Sequence, residues 1–201
     1  MSLAIIWLIP CSGAGGADRD FAMYANIGLS NSISPDRFNN FWGMGPSFGF
    51  ESGFKFGPQI TLGFFFEYDN FNMMEDKILQ DAGLADSNLV FSGSDARFLV
   101  YGFSARWYLM KGRKGSSPYL MTGFAMVNIK KSNPRIGIAP NEQYLSNWGW
   151  SDLEELIFLG GGYDIRLSEI VYFFADVKMN IIYTDFETTQ FALFRLGVAL
   201  H

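Results

Sequence analysis

Apolar and polar residues alternate with a period of two over long stretches of this chain. In 171–183 the odd positions are mainly Val, Phe, Met and Ile, whereas the even positions include Asp176 and Lys178. Segment 156–167 repeats the pattern and carries Asp164 on its more polar side. Successive side chains of a β-strand point to opposite faces, so each segment would have one apolar face and one mixed face. The pattern therefore predicts amphipathic β-strands.

The composition indicates that the apolar faces meet lipid. Of the 201 residues, 17% are aromatic and only 17% are charged, whereas charged residues make up about a quarter of a typical soluble domain. No apolar run reaches the roughly 18 residues that a membrane-spanning helix needs. Crossing a membrane would therefore require strands closed into a barrel, because only closure pairs every backbone group there. The net charge of −5 argues against a nucleic-acid partner.

Spacing along the chain predicts eight strands and their arrangement. They fall at 20–30, 41–53, 58–69, 96–110, 118–130, 155–167, 169–184 and 189–200. Connections after the second, fourth and sixth strands are short, and those after the first, third and fifth are long, which is typical of outer-membrane barrels. We predict an all-β fold, an eight-stranded antiparallel up-and-down transmembrane β-barrel. Residues 1–17 are predicted to be a signal peptide with a truncated start, followed by one barrel domain over 18–201.

The inward faces are predicted to hold a balanced set of charges. Four acids and four bases share this face: Glu51, Glu67, Arg106, Asp164, Arg166, Asp176, Lys178 and Arg195. Enclosed charges must be paired, and eight strands leave a lumen that side chains can fill. We therefore expect an interior charge network and a side-chain-plugged lumen. On the fifth strand both faces are apolar, and the outward choice is Tyr119, Met121, Val127 and Ile129.

Aromatic residues suggest two further features. Tyr and Trp near strand ends are typical of the membrane interface, and the predicted girdle is Trp42, Tyr68, Trp107, Tyr119 and Tyr183. Three aromatic residues fall in a long connection and are candidates for binding, since aromatics are enriched at interaction hot spots: Tyr144, Trp148 and Trp150.

Three segments carry a resemblance to a known family. They are the turn at 53–58 leading into 60–68, the hairpin of 160–167 with 171–183, and the terminal strand 195–200. The chain resembles the small eight-stranded outer-membrane barrels of the OmpA/OmpX-like family. The resemblance implies a Gram-negative outer membrane reached through the periplasm. It also implies contacts with the lipid bilayer and lipopolysaccharide, and recognition by the outer-membrane assembly machinery.

Functional classes can be ranked by which residues are available. His201 is the only histidine and is expected to be frayed at the short-turn side, so a nucleophile–histidine pair is hard to build. We predict a non-enzymatic monomer without metal or cofactor, with a structural or loop-mediated binding or adhesion role. Its unidentified extracellular partner would meet loops 70–95 and 131–154. The alternatives are a soluble lipocalin-like ligand-binding barrel, with the faces inverted, and a small-solute, porin-like channel.

Overall fold

Eight antiparallel strands close into a barrel in the computed structural model, which describes residues 21–81, 83, 90–92, 95–110, 116–132, 135–138, 141–144, 150–184 and 187–201. The barrel strands are β1 (Phe21–Ser34), β2 (Gly45–Phe56), β3 (Ile60–Phe71), β5 (Ala96–Tyr108), β6 (Ser117–Lys131), β9 (Trp150–Arg166), β10 (Val171–Tyr183) and β11 (Thr188–Leu200). Three short strands and two short helices lie between them: β4 (Val90–Ser92), β7 (Arg135–Ile138), β8 (Asn141–Tyr144), α1 (Asp36–Phe41) and α2 (Glu75–Asp81).

Each barrel strand pairs with its neighbours in chain order, and the last pairs with the first. The β1–β11 pairing runs from Met23 opposite Leu200 to Ser32 opposite Phe191, with an irregularity between Ser32 and Ser34. Closure leaves no open edge in the barrel sheet. The predicted eight-stranded up-and-down barrel is therefore confirmed. Both helices are too short to span a membrane, and no other helix in the described part of the chain is long and apolar enough.

The two ends of the barrel differ in their connections. The short-turn end carries the connections 57–59, 109–116 and 167–170, and the long-loop end carries 35–44, 72–95, 132–149 and 184–187. At the long-loop end β4, β7 and β8 form a separate three-stranded sheet. Val90 lies opposite Gly137 in this sheet, so the loop after β3 pairs with the loop after β6. The sequence predicted these two loops but not their pairing.

The outer surface of the barrel is apolar. Large side chains such as Phe48, Phe64, Phe103 and Phe194 are about half or more exposed, whereas Glu51, Glu67, Arg106 and Arg195 of the same strands are buried on the inward face. A soluble barrel would place its aromatic side chains around the lumen and its charges in water. The lipocalin-like alternative, which required inverted faces, is therefore wrong.

The predicted orientation of the fifth barrel strand, β6, is also wrong. Tyr119, Met121, Val127 and Ile129 are buried in the lumen at 3% exposure or less. The outward positions of β6 include Leu120, Thr122, Phe124 and Lys130. Both faces of β6 carry apolar residues, so alternation alone could not orient this strand. Its pairing with β5 and β9 does.

Leu196→Arg tests the lipid-facing assignment. Leu196 is 52% exposed near the middle of β11, where an arginine on the lipid face costs about 2–4 kcal/mol. We expect a loss of that size in the unfolding free energy, measured by denaturant titration in phospholipid vesicles. Leu167→Arg is the control because Leu167 is exposed in the connection between β9 and β10. Equal losses in the two variants would contradict the assignment.

Candidate functional site

Most of the buried charged side chains lie between the middle of the barrel and its short-turn end. Each occupies an inward position of its strand, because alternate residues of a strand share one face. Seven of the eight charges predicted for the interior are at most 5% exposed: Glu51, Glu67, Arg106, Asp164, Asp176, Lys178 and Arg195. Strand pairing places Asp176 opposite Arg195, whereas Glu67 and Arg195 come from strands that are not neighbours and meet across the lumen.

Arg166 departs from the prediction. It is half-buried at the last residue of β9, and its Nε donates a hydrogen bond to the carbonyl oxygen of Ser168 at 2.9 Å. This hydrogen bond joins Arg166 to the backbone of the short turn. Its inward parity was correct, but its height in the barrel places it at the rim, where water can reach it.

Arg195 is the centre of a chain of four charges. Its Nε and Nη2 donate to the two carboxylate oxygens of Asp176 at 2.7 and 2.9 Å, and its Nη1 lies 3.1 Å from Glu67 Oε2. Lys178 Nζ contacts the other Glu67 oxygen at 2.6 Å. The Tyr119 hydroxyl donates to Asp176 Oδ2 at 2.7 Å. Such paired, hydrogen-bonded charges can be buried, whereas a single one would be strongly destabilising.

A second group of charges surrounds Arg106. Its Nη2 lies 2.8 Å from Glu51 Oε2, and the Ser104 hydroxyl donates to Glu51 Oε1 at 2.7 Å. The guanidinium carbon stands 3.8 Å from the ring centre of Tyr24 and 4.8 Å from that of Tyr119. Arginine is well suited to this position because its planar group can pair with a carboxylate while it stacks on aromatic faces. Tyr119 thus touches both groups of charges.

Asp164 and His201 form a third group near the short-turn end. The Tyr108 hydroxyl donates to Asp164 Oδ2 at 2.8 Å, and His201 Nε2 lies 3.9 Å from the same oxygen. The His201 ring packs on Tyr172 with ring centres 4.5 Å apart, and only 8% of His201 is exposed. The expectation that His201 is frayed was therefore wrong. His201 and Arg195 are both odd-numbered, so the alternation of β11 already placed His201 on the inward face.

The enclosed charges are not balanced as predicted. Asp69 is fully buried on the inward face of β3. The set predicted from the sequence omitted it, although Asp69 lies on the same face as Glu67. The Ser47 side chain is the hydrogen-bonding neighbour of Asp69. The buried charged side chains in the described ranges are five acids and three strong bases: Glu51, Glu67, Asp69, Asp164, Asp176, Arg106, Lys178 and Arg195. Asp69 is the acid of this set for which no salt bridge is described.

Arg195→Leu and Asp69→Asn should change stability in opposite directions. Loss of Arg195 leaves Asp176 and Glu67 without their shared cation, which should lower the unfolding free energy by about 3–5 kcal/mol. Asp69→Asn keeps the shape but removes a buried carboxylate that has no described salt bridge, which should raise the unfolding free energy by about 1 kcal/mol or leave it unchanged. Denaturant titration of both variants in the same vesicles provides the measurement. A large loss in Asp69→Asn would show that this carboxylate has a stabilising partner.

Gly162 makes room for the hydrogen bond between Tyr119 and Asp176. A Cβ atom at this position would lie 2.7 Å from the Tyr119 hydroxyl oxygen and closer still to Asp176 Cβ. We expect Gly162→Ala to lower the unfolding free energy by about 1–3 kcal/mol, because overpacking displaces this pair. Gly161→Ala is the matched control, since its Cβ would come no nearer than 3.2 Å to other atoms. Equal melting temperatures for the two variants would exclude a spacing role for Gly162.

Aromatic side chains occupy the half of the lumen nearer the long-loop end. Phe38 of α1 packs onto Phe71 and Phe98, with ring centres 5.0 and 5.7 Å away, and Phe191 contacts both of those rings. Phe38 is only 5% exposed although it belongs to a loop. The first long connection therefore folds inward and contributes to the core. The sequence did not predict this helix.

The predicted aromatic girdle is only partly on the outer surface. Trp107 and Tyr183 are about half exposed, and Tyr68 is partly exposed beside Phe48. Tyr119 is instead a buried lumen residue, because the face of β6 was misassigned. Trp42 packs against Phe38, and Lys131 Nζ stands 4.4 Å from its ring centre. Trp42 thus belongs to the mouth of the barrel and not to a girdle.

The candidate loop-binding residues are described only in part. Tyr144 ends β8 opposite Arg135, and Trp150 begins β9 opposite Lys131. These are backbone positions only, and Trp148 lies outside the described residues. The described ranges contain no cluster of three His, Cys, Asp or Glu residues that could hold a metal ion.

Comparisons with known proteins give a likeness in fold. No protein-family model matches the sequence, and no curated protein sequence is similar to it. Among solved structures, Neisserial surface protein A is 13% identical with a TM-score of 0.57, covering 90% of this chain and 96% of its own. The N-terminal β-barrel domain of Pseudomonas aeruginosa OprF is 13% identical with a TM-score of 0.55, at 90% and 96% coverage.

A major outer membrane protein of Thermus thermophilus is also similar. It is 9% identical with a TM-score of 0.55, covering 90% of this chain and 98% of its own. At these identities the likeness concerns the fold, and it agrees with the closed antiparallel barrel described above. The chain therefore has the fold of the small eight-stranded outer-membrane β-barrels, as its sequence resemblance predicted.

Proposed function

We propose that the protein is a non-enzymatic, monomeric barrel of a bacterial outer membrane, exported through the periplasm, with a plugged lumen. The observation that carries the proposal is the filling of the lumen. The chain of charges centred on Arg195 occupies one half of it, and the aromatic layer beneath Phe38 occupies the other. Both layers are nearly inaccessible to water. A solute would have to displace packed rings and separate buried ion pairs in order to pass.

The outer surface supports the proposed location. Its half-exposed Phe, Leu and Ile side chains form a continuous apolar covering that suits a hydrocarbon environment and would promote aggregation in water. Neisserial surface protein A and the Thermus thermophilus outer membrane protein, which share the fold, are described by their names as surface and outer-membrane proteins. We expect contacts with the bilayer and with lipopolysaccharide, and insertion by the outer-membrane assembly machinery.

The long-loop end supports a structural or loop-mediated binding or adhesion role. Loops 70–95 and 131–154 meet in one small sheet, where β4 pairs with β7 and β7 pairs with β8. A paired sheet is a more rigid recognition surface than two independent loops, and a rigid surface loses less entropy when a partner binds. We propose this combined surface as the part of the protein that meets an extracellular partner.

Ion conductance tests the plugged lumen. The purified barrel, reconstituted in planar lipid bilayers, should give no stable conductance steps, because side chains fill its cross-section. A general porin inserted into the same bilayers serves as the positive control. Folding is checked beforehand by a change in gel mobility between unboiled and boiled samples. Regular open-channel steps from the folded form would contradict the plugged lumen and favour the small-solute channel.

Cell fractionation tests the location separately. The full-length protein, expressed with a complete signal sequence, should be recovered in the outer-membrane fraction and should show heat-modifiable gel mobility. Recovery as a soluble periplasmic protein would contradict the proposed membrane location, whatever the conductance result.

A further inference from the structure

A cavity opens at the long-loop end of the barrel, above the aromatic layer. Its volume is about 680 Å³, which is within the range of small-molecule sites. The walls near the lumen are formed by Phe38, Trp42, Phe98 and Ile129. Phe38, Phe98 and Ile129 are buried members of the core, so this apolar base is fixed by packing. The half-buried Pro35 and Trp42 above this base provide a contact surface for an aromatic or aliphatic group.

The outer part of the same cavity is acidic. Asp152, Glu154 and Glu187 line it together with Lys131, so the described lining carries three carboxylates and one ammonium group. Asp152 and Glu154 continue the inward face of β9 beyond Leu156, which is why they stand over the lumen. With Lys131 already counted, the lining retains a net charge of −2. Its charge therefore favours a cationic occupant.

Lys131 shows that an ammonium group fits against the aromatic wall. Its Nζ stands 4.4 Å from the ring centre of Trp42, within the distance at which a cation is attracted to an indole face. The mouth of the barrel thus combines an aromatic surface that accepts a cation with an excess of carboxylates. This combination does not suit an anion or a sugar phosphate.

We propose that this cavity binds small organic cations that carry an aromatic or short aliphatic body. The body packs on Pro35 and Trp42 above the buried Phe38, and the ammonium group lies among Asp152, Glu154 and Glu187. The inference rests on the proposed function, since it assigns a ligand class to the end of the barrel that would face the outside. It adds a defined cavity to the loop surface formed by β4, β7 and β8.

Isothermal titration of the folded barrel in phosphatidylcholine nanodiscs tests the site, with empty nanodiscs as the blank. The three probes are 2-phenylethylamine, 2-phenylethanol and phenylacetate, which share a phenyl group and differ in charge. At about 150 mM salt, where charges beyond ~8 Å are screened, the amine should bind at least about fivefold more tightly than the alcohol. Phenylacetate should not bind.

Two triple variants separate a local effect from a general charge effect. Asp152→Asn with Glu154→Gln and Glu187→Gln should weaken amine binding at least about fivefold, because it removes the carboxylates of the cavity. The control combines Glu75→Gln, Asp76→Asn and Asp81→Asn in α2, which removes the same charge at the same end of the barrel. Heat-modifiable gel mobility shows that both variants fold, and the control should bind the amine as the unmodified chain does.

Three results would overturn the proposed site. They are equal affinity for amine and alcohol, equal loss of amine binding in both triple variants, and no amine binding by the unmodified chain. Because the titration uses the folded barrel in nanodiscs, its failure would leave the conductance and fractionation results intact. A conducting barrel would in turn leave the binding result interpretable.

Discussion

Closure of the sheet between β1 and β11 is the constraint on which the rest of the structure depends. Hydrocarbon offers no partner for a free backbone amide, so spanning strands must satisfy one another completely. Closing after only eight strands makes the lumen so narrow that inward side chains meet across it. Residues as distant as Glu67 and Arg195 then become direct partners. The ion pairs, the glycine at position 162 and the aromatic layer are all consequences of this narrow closed space.

Charged and aromatic parts of the lumen meet at Lys178. Its ammonium group pairs with Glu67 and stands 4.9 and 4.6 Å from the ring centres of Phe65 and Phe158. The long side chain of lysine can satisfy both neighbours, since its alkyl part packs with the rings while its charged end reaches the acid. Polar and apolar packing are thus joined without an empty layer between them. This continuity explains how one narrow lumen can hold many charges and remain well packed.

Period-two alternation predicted the architecture and most of the interior because it is a local property of each strand. It identified eight strands, and it placed Glu51 and Arg195 on the inward face. It failed for β6, where Tyr119 and Leu120 are both apolar enough for either face, so that orientation depends on pairing with other strands. It also could not predict that Phe38 enters the mouth, because α1 folds against Phe71 and Phe98, which are distant from it in the sequence. Alternation places Asp69 and His201 on the inward faces of their strands. It could not predict which residues surround them, because that depends on their height in the folded barrel.

Because Phe38 is inserted into the core, the first long connection should tolerate fewer substitutions than the other long connections. The first connection carries part of the barrel interior, so a substitution at Phe38 would have to preserve the packing on Phe71 and Phe98. The loops after β3 and β6 contribute instead to a sheet of their own. Because β4 pairs with β7, a length change in one of these loops requires a matching change in the other. Sequence drift at this surface should therefore be concerted between two segments that lie far apart in the chain.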